Sequence, residues 1–297
     1  MHKLTLGTAQ LGMDYGISNK TGKPLISESL LILDYAYNKN VRSFDTAFAY
    51  GNSESVLGTW LKENNLNSIV LTSKISSLHK QNIYHSQLEK EIRNCLEVSL
   101  NNLSIKKLDH YLIHDFNDVR YYGEKIFTVL DKLKSESLIG SYGCSIYDLD
   151  ELEYIRDYNI GSIQIPGSIF NQKILESRVL EQIRKKGTTV FVRSAFVQGL
   201  IFMKDNEVPE KLSEIRIYLQ KLRQMVQERG ITIAEAALNY VRNHPNTDSV
   251  VFGVESINQM KELLTINKSN ELNFLDINKE FSEIPLELID PRYWREA

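Results

Sequence analysis

Cysteine and long apolar runs are both scarce in this chain of 297 residues. Its two cysteines, Cys95 and Cys144, cannot form a disulfide framework, and they cannot complete a zinc site without histidines. The histidines show no ligand spacing, so we predict no metal site. The N-terminus has no apolar secretory segment, and no stretch approaches the roughly 20 apolar residues that span a membrane. We therefore expect a cytoplasmic protein with no membrane partner.

A strong charge of either sign is also missing. The chain carries 35 basic and 38 acidic residues, for a formal net charge of −3 and a pI near 6.1. Binding to nucleic acid rests largely on positive charge that neutralises phosphates. We therefore expect no nucleic-acid partner.

Short apolar runs recur along the whole chain. Each has four or five residues rich in valine, isoleucine, leucine or aromatic side chains, which is typical of strands buried on both faces. The eight predicted strands are Lys3–Leu6, Val41–Phe44, Ile69–Thr72, Asp109–Ile113, Ile139–Gly143, Gly161–Ile165, Thr189–Val192 and Ser249–Phe252.

Amphipathic stretches with helical spacing lie between these runs. The predicted helices are Ser27–Asn40, Ser53–Lys62, Gln87–Leu103, Glu124–Ser135, Asp148–Tyr158, Ser177–Lys186, Pro209–Arg229, Ile233–Asn243 and Ser256–Asn267. Eight strand-helix units predict an α/β fold, a (β/α)₈ TIM barrel in a single domain over residues 1–297. Pro209–Arg229 and Ile233–Asn243 form a helical insertion before the last strand. Residues 267–278 are expected to form a loop, and the closing segment Ile289–Trp294 has enough apolar bulk to pack back on the barrel. A doubly wound sheet is the rival, but Gly7–Gly12 lacks its Gly-x-Gly-x-x-Gly fingerprint.

Four residues follow the second, third and fourth predicted strands, where a barrel places its catalytic groups. They are Asp45, Tyr50, Lys74 and His114. A lysine close to a tyrosine favours the phenolate, a buried lysine needs a carboxylate, and a histidine can orient a carbonyl oxygen. Together they predict a tuned tyrosine acid that faces a carbonyl group. Each residue alone has an ordinary structural explanation, such as snorkelling for Lys74 or turn capping for Asp45.

The same segments resemble the aldo-keto reductase superfamily over nearly the whole chain. Asp45–Gly51 is similar to the family's Asp-Thr-Ala-x-x-Tyr-Gly segment, Leu71–Lys74 to its lysine strand and Leu108–His114 to its histidine strand. The resemblance implies an NAD(P)H-dependent enzyme that reduces an aldehyde or ketone to the alcohol. It assigns the catalytic tetrad to Asp45, Tyr50, Lys74 and His114.

The resemblance also implies a cofactor site, NADPH or NADH, with several departures from the family pattern. Ile146 stands where an asparagine usually follows Ser145, and Arg193 stands where a tyrosine usually stacks on the nicotinamide. Glu255 and Gln259 lie where basic residues often contact a 2′-phosphate, which places a preference for NADPH in question, although Lys261 could compensate. The predicted cofactor residues are Gly7, Thr8, Ala9, Ser145, Gln164, Arg193, Ser194, Gly253, Glu255, Ser256, Gln259 and Glu262.

Two other functions compete with this interpretation. Lys74 could form a Schiff base in a barrel aldolase or dehydratase, although a paired ammonium is a poor nucleophile. A barrel that binds the cofactor without catalysis is the second alternative. The variable loops hold tyrosines and charged residues, which favours a polar, sugar-like carbonyl substrate. These predicted loops are Leu11–Pro24, Ser76–Tyr84, Asp115–Gly123, Phe196–Pro209 and the tail. Arg193, if not paired with a loop carboxylate, favours one with an acidic group. The oligomeric state is not predicted.

Overall fold

The computed structural model describes residues 3–64, 66–266, 277 and 280–294, and its eight strands form a closed parallel barrel. The strands are β1 (Leu4–Gly7), β2 (Ser43–Asp45), β3 (Val70–Ile75), β4 (Leu108–Ile113), β5 (Ile139–Ser145), β6 (Ser162–Pro166), β7 (Thr189–Arg193) and β8 (Ser249–Phe252). Each strand pairs with the next in the chain, and β8 closes on β1 with Val251 opposite Thr5. The predicted (β/α)₈ barrel is confirmed.

Helices surround the barrel on the outside. They are α1 (Ala9–Gly12), α2 (Ile26–Asn38), α3 (Ser53–Glu63), α4 (Leu88–Leu103), α5 (Phe116–Tyr122), α6 (Glu124–Ser135), α7 (Leu149–Tyr154), α8 (Arg178–Lys185), α9 (Ile215–Glu228), α10 (Ile233–Asn243), α11 (Ile257–Thr265) and a last turn at Leu286–Ile289. Short 3₁₀ turns cover His79–Gln81, Val197–Phe202, Glu210–Leu212 and Pro291–Tyr293. None of the helices in the described ranges is long and apolar enough to cross a membrane.

Several predicted boundaries differ from the observed ones. The strand β2 is Ser43–Asp45 instead of Val41–Phe44, and β3 continues to Ile75 beyond the predicted Thr72. The apolar run marks the centre of each strand, but the hydrogen-bond ladder extends into the polar mouth of the barrel. The predicted insertion Pro209–Arg229 is divided into a 3₁₀ turn and α9.

Helix α5 is absent from the prediction, which placed Asp115–Gly123 in a loop. It has seven residues, and its N-cap is Asp115, whose side chain accepts a hydrogen bond from the Asn117 backbone N–H. So short a segment gives little periodicity to recognise. The predicted helix Asp148–Tyr158 is also shorter in the structure and ends at Tyr154.

The barrel is packed below its open end. Hydroxyl groups fill the bottom, where Thr5 Oγ1 lies 2.9 Å from Ser43 Oγ and 2.7 Å from Ser249 Oγ. Higher up, the ring of His110 packs edge-on against Phe191 at 5.0 Å. A filled interior leaves the carboxyl ends of the strands as the place for a binding site.

The end of the described chain packs back on the barrel, as predicted for the closing segment. Ile289 and Trp294 are both buried. The Trp294 indole N–H donates to the carbonyl oxygen of Glu287 at 3.2 Å. The loop predicted over residues 267–278 lies outside the described residues apart from Ile277.

Candidate active site

Lys74 and Asp45 form a buried ion pair at the mouth of the barrel. Lys74 Nζ donates to the two Asp45 carboxylate oxygens at 2.9 and 2.7 Å and to the Thr46 carbonyl oxygen at 2.9 Å. The exposed fractions are 0% for Lys74 and 3% for Asp45. Both residues belong to strands instead of following them. Their side chains point inward, to the partners that a buried charge requires.

Tyr50 lies against this pair in the loop between β2 and α3. Its hydroxyl is 3.4 Å from Lys74 Nζ, and Nζ lies 4.9 Å from the centre of its ring. Burial raises the pKa of Tyr50 well above its usual value of about 10, the Asp45 charge raises it further, and the Arg193 charge opposes both. The net shift is upward although Lys74 Nζ lies 3.4 Å from the hydroxyl. Tyr50 therefore carries its proton at neutral pH, which is the form that a general acid needs.

Two glycines hold the backbone around Tyr50. A Cβ on Gly12 would lie 2.0 Å from the Tyr50 carbonyl oxygen, and one on Gly51 would lie 2.3 Å from the Gly12 carbonyl oxygen. Gly51 also has φ of +58°, a conformation that side chains disfavour. The loop that carries the tyrosine is thus packed backbone to backbone on the end of α1.

His114 follows β4 and faces the tyrosine. The two rings are 5.5 Å apart at their centres and nearly perpendicular, at 88°. Burial, with the charges of Lys74 and Arg193 adding to it, lowers the pKa of His114 to about 3. Its imidazole is therefore neutral at pH 7, with one N–H to donate.

Gln164 in β6 completes the network from the opposite side of the barrel. Its side-chain Nε2 donates to Asp45 Oδ1 at 2.7 Å. The family resemblance assigned this residue to the cofactor site, and the structure places it both on the cavity wall and on Asp45. Asp45 thus accepts hydrogen bonds from an ammonium and an amide group.

The open end of the barrel leads into a cavity of about 350 Å³ that also runs past β8 and α11. Asp45 and Tyr50 line it. The lining residues among the predicted cofactor set are Gly7, Ala9, Gln164, Arg193, Ser194, Gly253, Glu255, Gln259 and Glu262. The predicted set is thus brought together from the first, sixth, seventh and eighth strands and the helix α11.

Three predicted cofactor residues do not line the cavity. Thr8 is buried, and its Oγ1 lies 2.6 Å from Ser53 Oγ and 3.0 Å from the Asp45 carbonyl oxygen. Ser145 is the buried last residue of β5. Ser256 is the N-cap of α11, where its hydroxyl accepts from the Gln259 backbone N–H at 3.3 Å. These side chains support the wall from behind.

Arg193, the last residue of β7, is the unneutralised cation of the site. Its guanidinium donates to Ser194 Oγ and to the Ile146 carbonyl oxygen, both at 3.3 Å, and it forms no ion pair with any residue that the structure describes. The alternative partner, a loop carboxylate, is therefore not found in the described part of the chain. Its guanidinium also lies over the ring of Tyr147, with Cζ 4.2 Å from the ring centre.

The far end of the cavity is acidic. Glu255 and Glu262 line it, and Gln259 accepts a hydrogen bond from the Glu255 backbone N–H at 2.7 Å. Lys261, which could have compensated, instead lies 6.0 Å from the centre of the Tyr35 ring and does not line the cavity.

Sequence reasoning missed a contact between two loops beside the cavity. The Gln198 side chain donates to the Tyr15 hydroxyl at 3.1 Å, and the Gln198 carbonyl oxygen accepts from the Ile17 N–H at 3.1 Å. Burial raises the pKa of Tyr15 to about 12. Val197, Gln198 and Gly199 all have positive φ, and only Gly199 gave a sequence signal for this turn.

The hydrogen bonds and the burial of Lys74 weaken the alternative in which this lysine forms a Schiff base. Its ammonium donates to Asp45, Thr46 and Tyr50 and has no exposed surface. A nucleophilic lysine must release its proton and reach a substrate carbonyl carbon.

Among the described residues there is no group of three or more His, Cys, Asp or Glu side chains that could hold a metal ion.

Comparisons with known proteins agree with this geometry. A model of the Aldo/keto reductase family matches residues 3–279. The chain is 24% identical over 278 residues to an uncharacterized oxidoreductase, YqkF, of Bacillus subtilis, covering 88% of this chain and 90% of that protein. It is also 24% identical over 257 residues to L-galactose dehydrogenase of Arabidopsis thaliana, covering 82% and 79% of the two chains. Among solved structures, an aldo-keto reductase of Bacillus halodurans in its holo form matches with a TM-score of 0.73 at 22% identity, covering 99% of this chain and 95% of that one.

Proposed function

The chain belongs to the aldo/keto reductase family, and from that premise we propose that it reduces an aldehyde or ketone to the alcohol with Tyr50 as the general acid. As a member of this family it is an NAD(P)H-dependent oxidoreductase. The observation that carries the proposal is the contact between the Tyr50 hydroxyl and Lys74 Nζ at 3.4 Å, on the wall of the cavity.

The cavity suits a nicotinamide cofactor in shape and in its polar groups. It runs from Tyr50 and Gln164 at the barrel mouth to Glu262 beside α11. A Cβ on Gly253 would meet the Gln10 side chain at 2.3 Å, so the wall there is backbone without a side chain. Gln164, Arg193 and Ser194 would hold one end of the cofactor, and Gly253, Gln259 and Glu262 the other. When bound, the reduced nicotinamide supplies the hydride.

The residues of the chain supply the proton. Tyr50 is protonated at neutral pH and donates from its hydroxyl to the carbonyl oxygen as that oxygen gains negative charge. The phenolate left behind accepts from Lys74 Nζ and is stabilised by the charge of Arg193. Neutral His114, beside the Tyr50 ring, donates a hydrogen bond to the same oxygen and orients the carbonyl group.

The charges of the site favour a polar substrate with an acidic group. Arg193 has no carboxylate partner among the described residues, while Asp45 and Lys74 neutralise each other. An unpaired cation on a cavity wall attracts a carboxylate or a phosphate. The similarity to L-galactose dehydrogenase fits a polar, sugar-like carbonyl compound.

The far end of the cavity, beside α11, disfavours a strong preference for NADPH. Glu255 and Glu262 line it, and Lys261 points elsewhere. A 2′-phosphate carries nearly two negative charges and is repelled by a nearby carboxylate. A carboxylate can instead accept a hydrogen bond from a ribose hydroxyl.

A screen of carbonyl compounds with NADPH and with NADH, followed by loss of nicotinamide absorbance, tests the function. The panel pairs acidic carbonyl compounds with their neutral esters. Turnover that Tyr50→Phe abolishes supports the proposal. Turnover that survives Tyr50→Phe at the wild-type rate refutes the role of Tyr50, and a folded protein that binds neither nicotinamide refutes the function.

A further inference from the structure

The ring of Tyr147 contacts two guanidinium groups that are far apart in the sequence. The Cζ atoms of Arg193 and Arg292 are 4.2 and 4.4 Å from the ring centre. Tyr147 therefore attracts both positive charges through its π-electrons.

The two arginines differ in their countercharges. Arg292 Nη2 is 2.7 Å from Asp290 and 3.6 Å from Asp148, and the Asp290 carboxylate is itself buried. Arg193 has only two hydrogen bonds to neutral oxygens and no ion pair among the described residues. The uncompensated positive charge therefore lies on Arg193, which lines the cavity.

The charge of Arg193 acts at the reacting end of the cavity. Burial is the main cause of the raised pKa of Tyr50, and the Arg193 charge opposes it. The same charge adds to the effect of burial and of Lys74 in lowering the pKa of His114. An anion bound to Arg193 would thus lie close to the carbonyl group that Tyr50 protonates.

An arginine side chain needs support to present its charge at one place. The long stem of arginine has many rotamers, and holding it in one of them costs conformational entropy. The two 3.3 Å hydrogen bonds of Arg193 are long, which leaves the contact with Tyr147 as the main restraint. Tyr147 is in turn held by Arg292, in the turn Pro291–Tyr293.

On the basis of the proposed reductase function, we propose that Tyr147 and Arg292 are positioning residues that hold Arg193 as the binding site for a carboxylate or phosphate group of the substrate. The selectivity for anionic substrates then depends on a turn near the C-terminus that does not itself line the main cavity.

Two probes of nearly the same shape test this inference: 4-carboxybenzaldehyde, which is anionic, and its neutral methyl ester. We expect Tyr147→Leu and Arg292→Gln to raise KM for the acid about tenfold, which corresponds to about 1.4 kcal/mol. KM for the ester should change less than about twofold, and any change of kcat should be the same for both probes, since Arg193 affects Tyr50 with either substrate. Tyr147→Phe keeps the ring and should behave like the wild type, whereas a general packing defect would not be rescued in this way.

Equal changes of KM for acid and ester, or no change for either, would overturn the positioning role. Binding of benzoate and benzamide to the cofactor-loaded protein, measured by titration calorimetry, gives the same comparison without turnover. Loss of benzoate affinity in Tyr147→Leu but not in Tyr147→Phe supports the inference even if neither probe is reduced. Failure to reduce any carbonyl compound counts against the reductase function alone.

Discussion

The side chain of Gln164 donates to Oδ1 of Asp45 at 2.7 Å, so β6 contacts β2 across the mouth of the barrel. The same carboxylate accepts from Lys74, which contacts Tyr50. Gln164 is therefore linked to Tyr50, the proposed proton donor, through Asp45 and Lys74, and it also lines the cavity. Its amide can donate beside Asp45 without adding charge, which a carboxylate at the same place could not do.

Replacement of Gln164 by glutamate places a second carboxylate beside Asp45. Two adjacent carboxylates repel, and this raises the pKa of one of them. We expect Gln164→Glu to lower kcat at least about tenfold at neutral pH and to recover part of it as the pH is lowered. The pH profile of kcat measures this. Gln164→Met, which removes the hydrogen bond without adding charge, should be impaired without that recovery, and identical profiles of the two variants would contradict the prediction.

Loss of the Tyr50 hydroxyl removes the proton donor and little else. Tyr50→Phe should lower kcat by about 10²–10⁴-fold and leave the cofactor Kd unchanged. Tyr15→Phe is the matched control, because Tyr15 is also a half-buried tyrosine on the cavity wall, but its hydroxyl contacts Gln198 instead of Lys74. Asp45→Asn should cost less than Lys74→Met, since Asp45 acts through the lysine. Steady-state kinetics measure kcat, and cofactor titration measures Kd. A loss of kcat in Tyr15→Phe as large as in Tyr50→Phe would refute the assignment of Tyr50 as the general acid.

The acidic end of the cavity predicts the cofactor preference. We expect wild-type Kd values for NADPH and NADH to differ by less than about 100-fold, or about 2.7 kcal/mol. Glu262→Arg should shift the ratio toward NADPH by about tenfold, because it removes a repulsive charge and adds an attractive one. Lys261→Ala should leave it unchanged, since Lys261 faces Tyr35. Fluorescence titration measures both constants, and a stronger wild-type preference for NADPH would show that the phosphate has another partner.

The buried histidine predicts how stability depends on pH. The pKa of His114 is about 3 in the folded protein and about 6.5 in the unfolded chain, so the unfolded chain binds more protons between these values. The free energy of unfolding should therefore be highest above pH 6.5 and fall as the pH decreases toward 3, by up to about 1.4 kcal/mol for each pH unit.

Urea unfolding at several pH values tests this, with His114→Asn as the comparison. Burial also lowers the pKa of His110 and of His244, so the wild type and the variant should both lose stability in acid. The variant should lose less. Parallel curves for the two proteins would show that His114 titrates normally in the folded state.

The sequence predicted the barrel and the meeting of Asp45, Tyr50, Lys74 and His114 because these features depend on local patterns. Neighbouring units of a parallel barrel bring their strand ends together, whatever the loops do. The inward or outward direction of a side chain depends on the register of each strand, so the buried positions of Thr8 and Ser145 were not predictable.

Contacts between distant loops could not be predicted from the sequence. The contact of Tyr15 with Gln198 and the arrangement of Arg193, Tyr147 and Arg292 both join segments without periodicity. Their geometry follows from tertiary packing, which no short motif encodes. The upward shift of the Tyr50 pKa was not predictable for a related reason, since burial is its largest cause and depends on the whole fold.

The buried ion pair of Asp45 and Lys74 implies that stability and the proposed catalysis conflict in this barrel. Both charges have been taken fully out of water, and their mutual attraction only partly offsets that cost. Apolar side chains of similar volume at both positions would leave the protein as stable or up to about 4 kcal/mol more stable, yet unable to assist Tyr50. Selection for heat resistance alone would therefore tend to erase this pair, which under the proposed mechanism is kept for its effect on Tyr50.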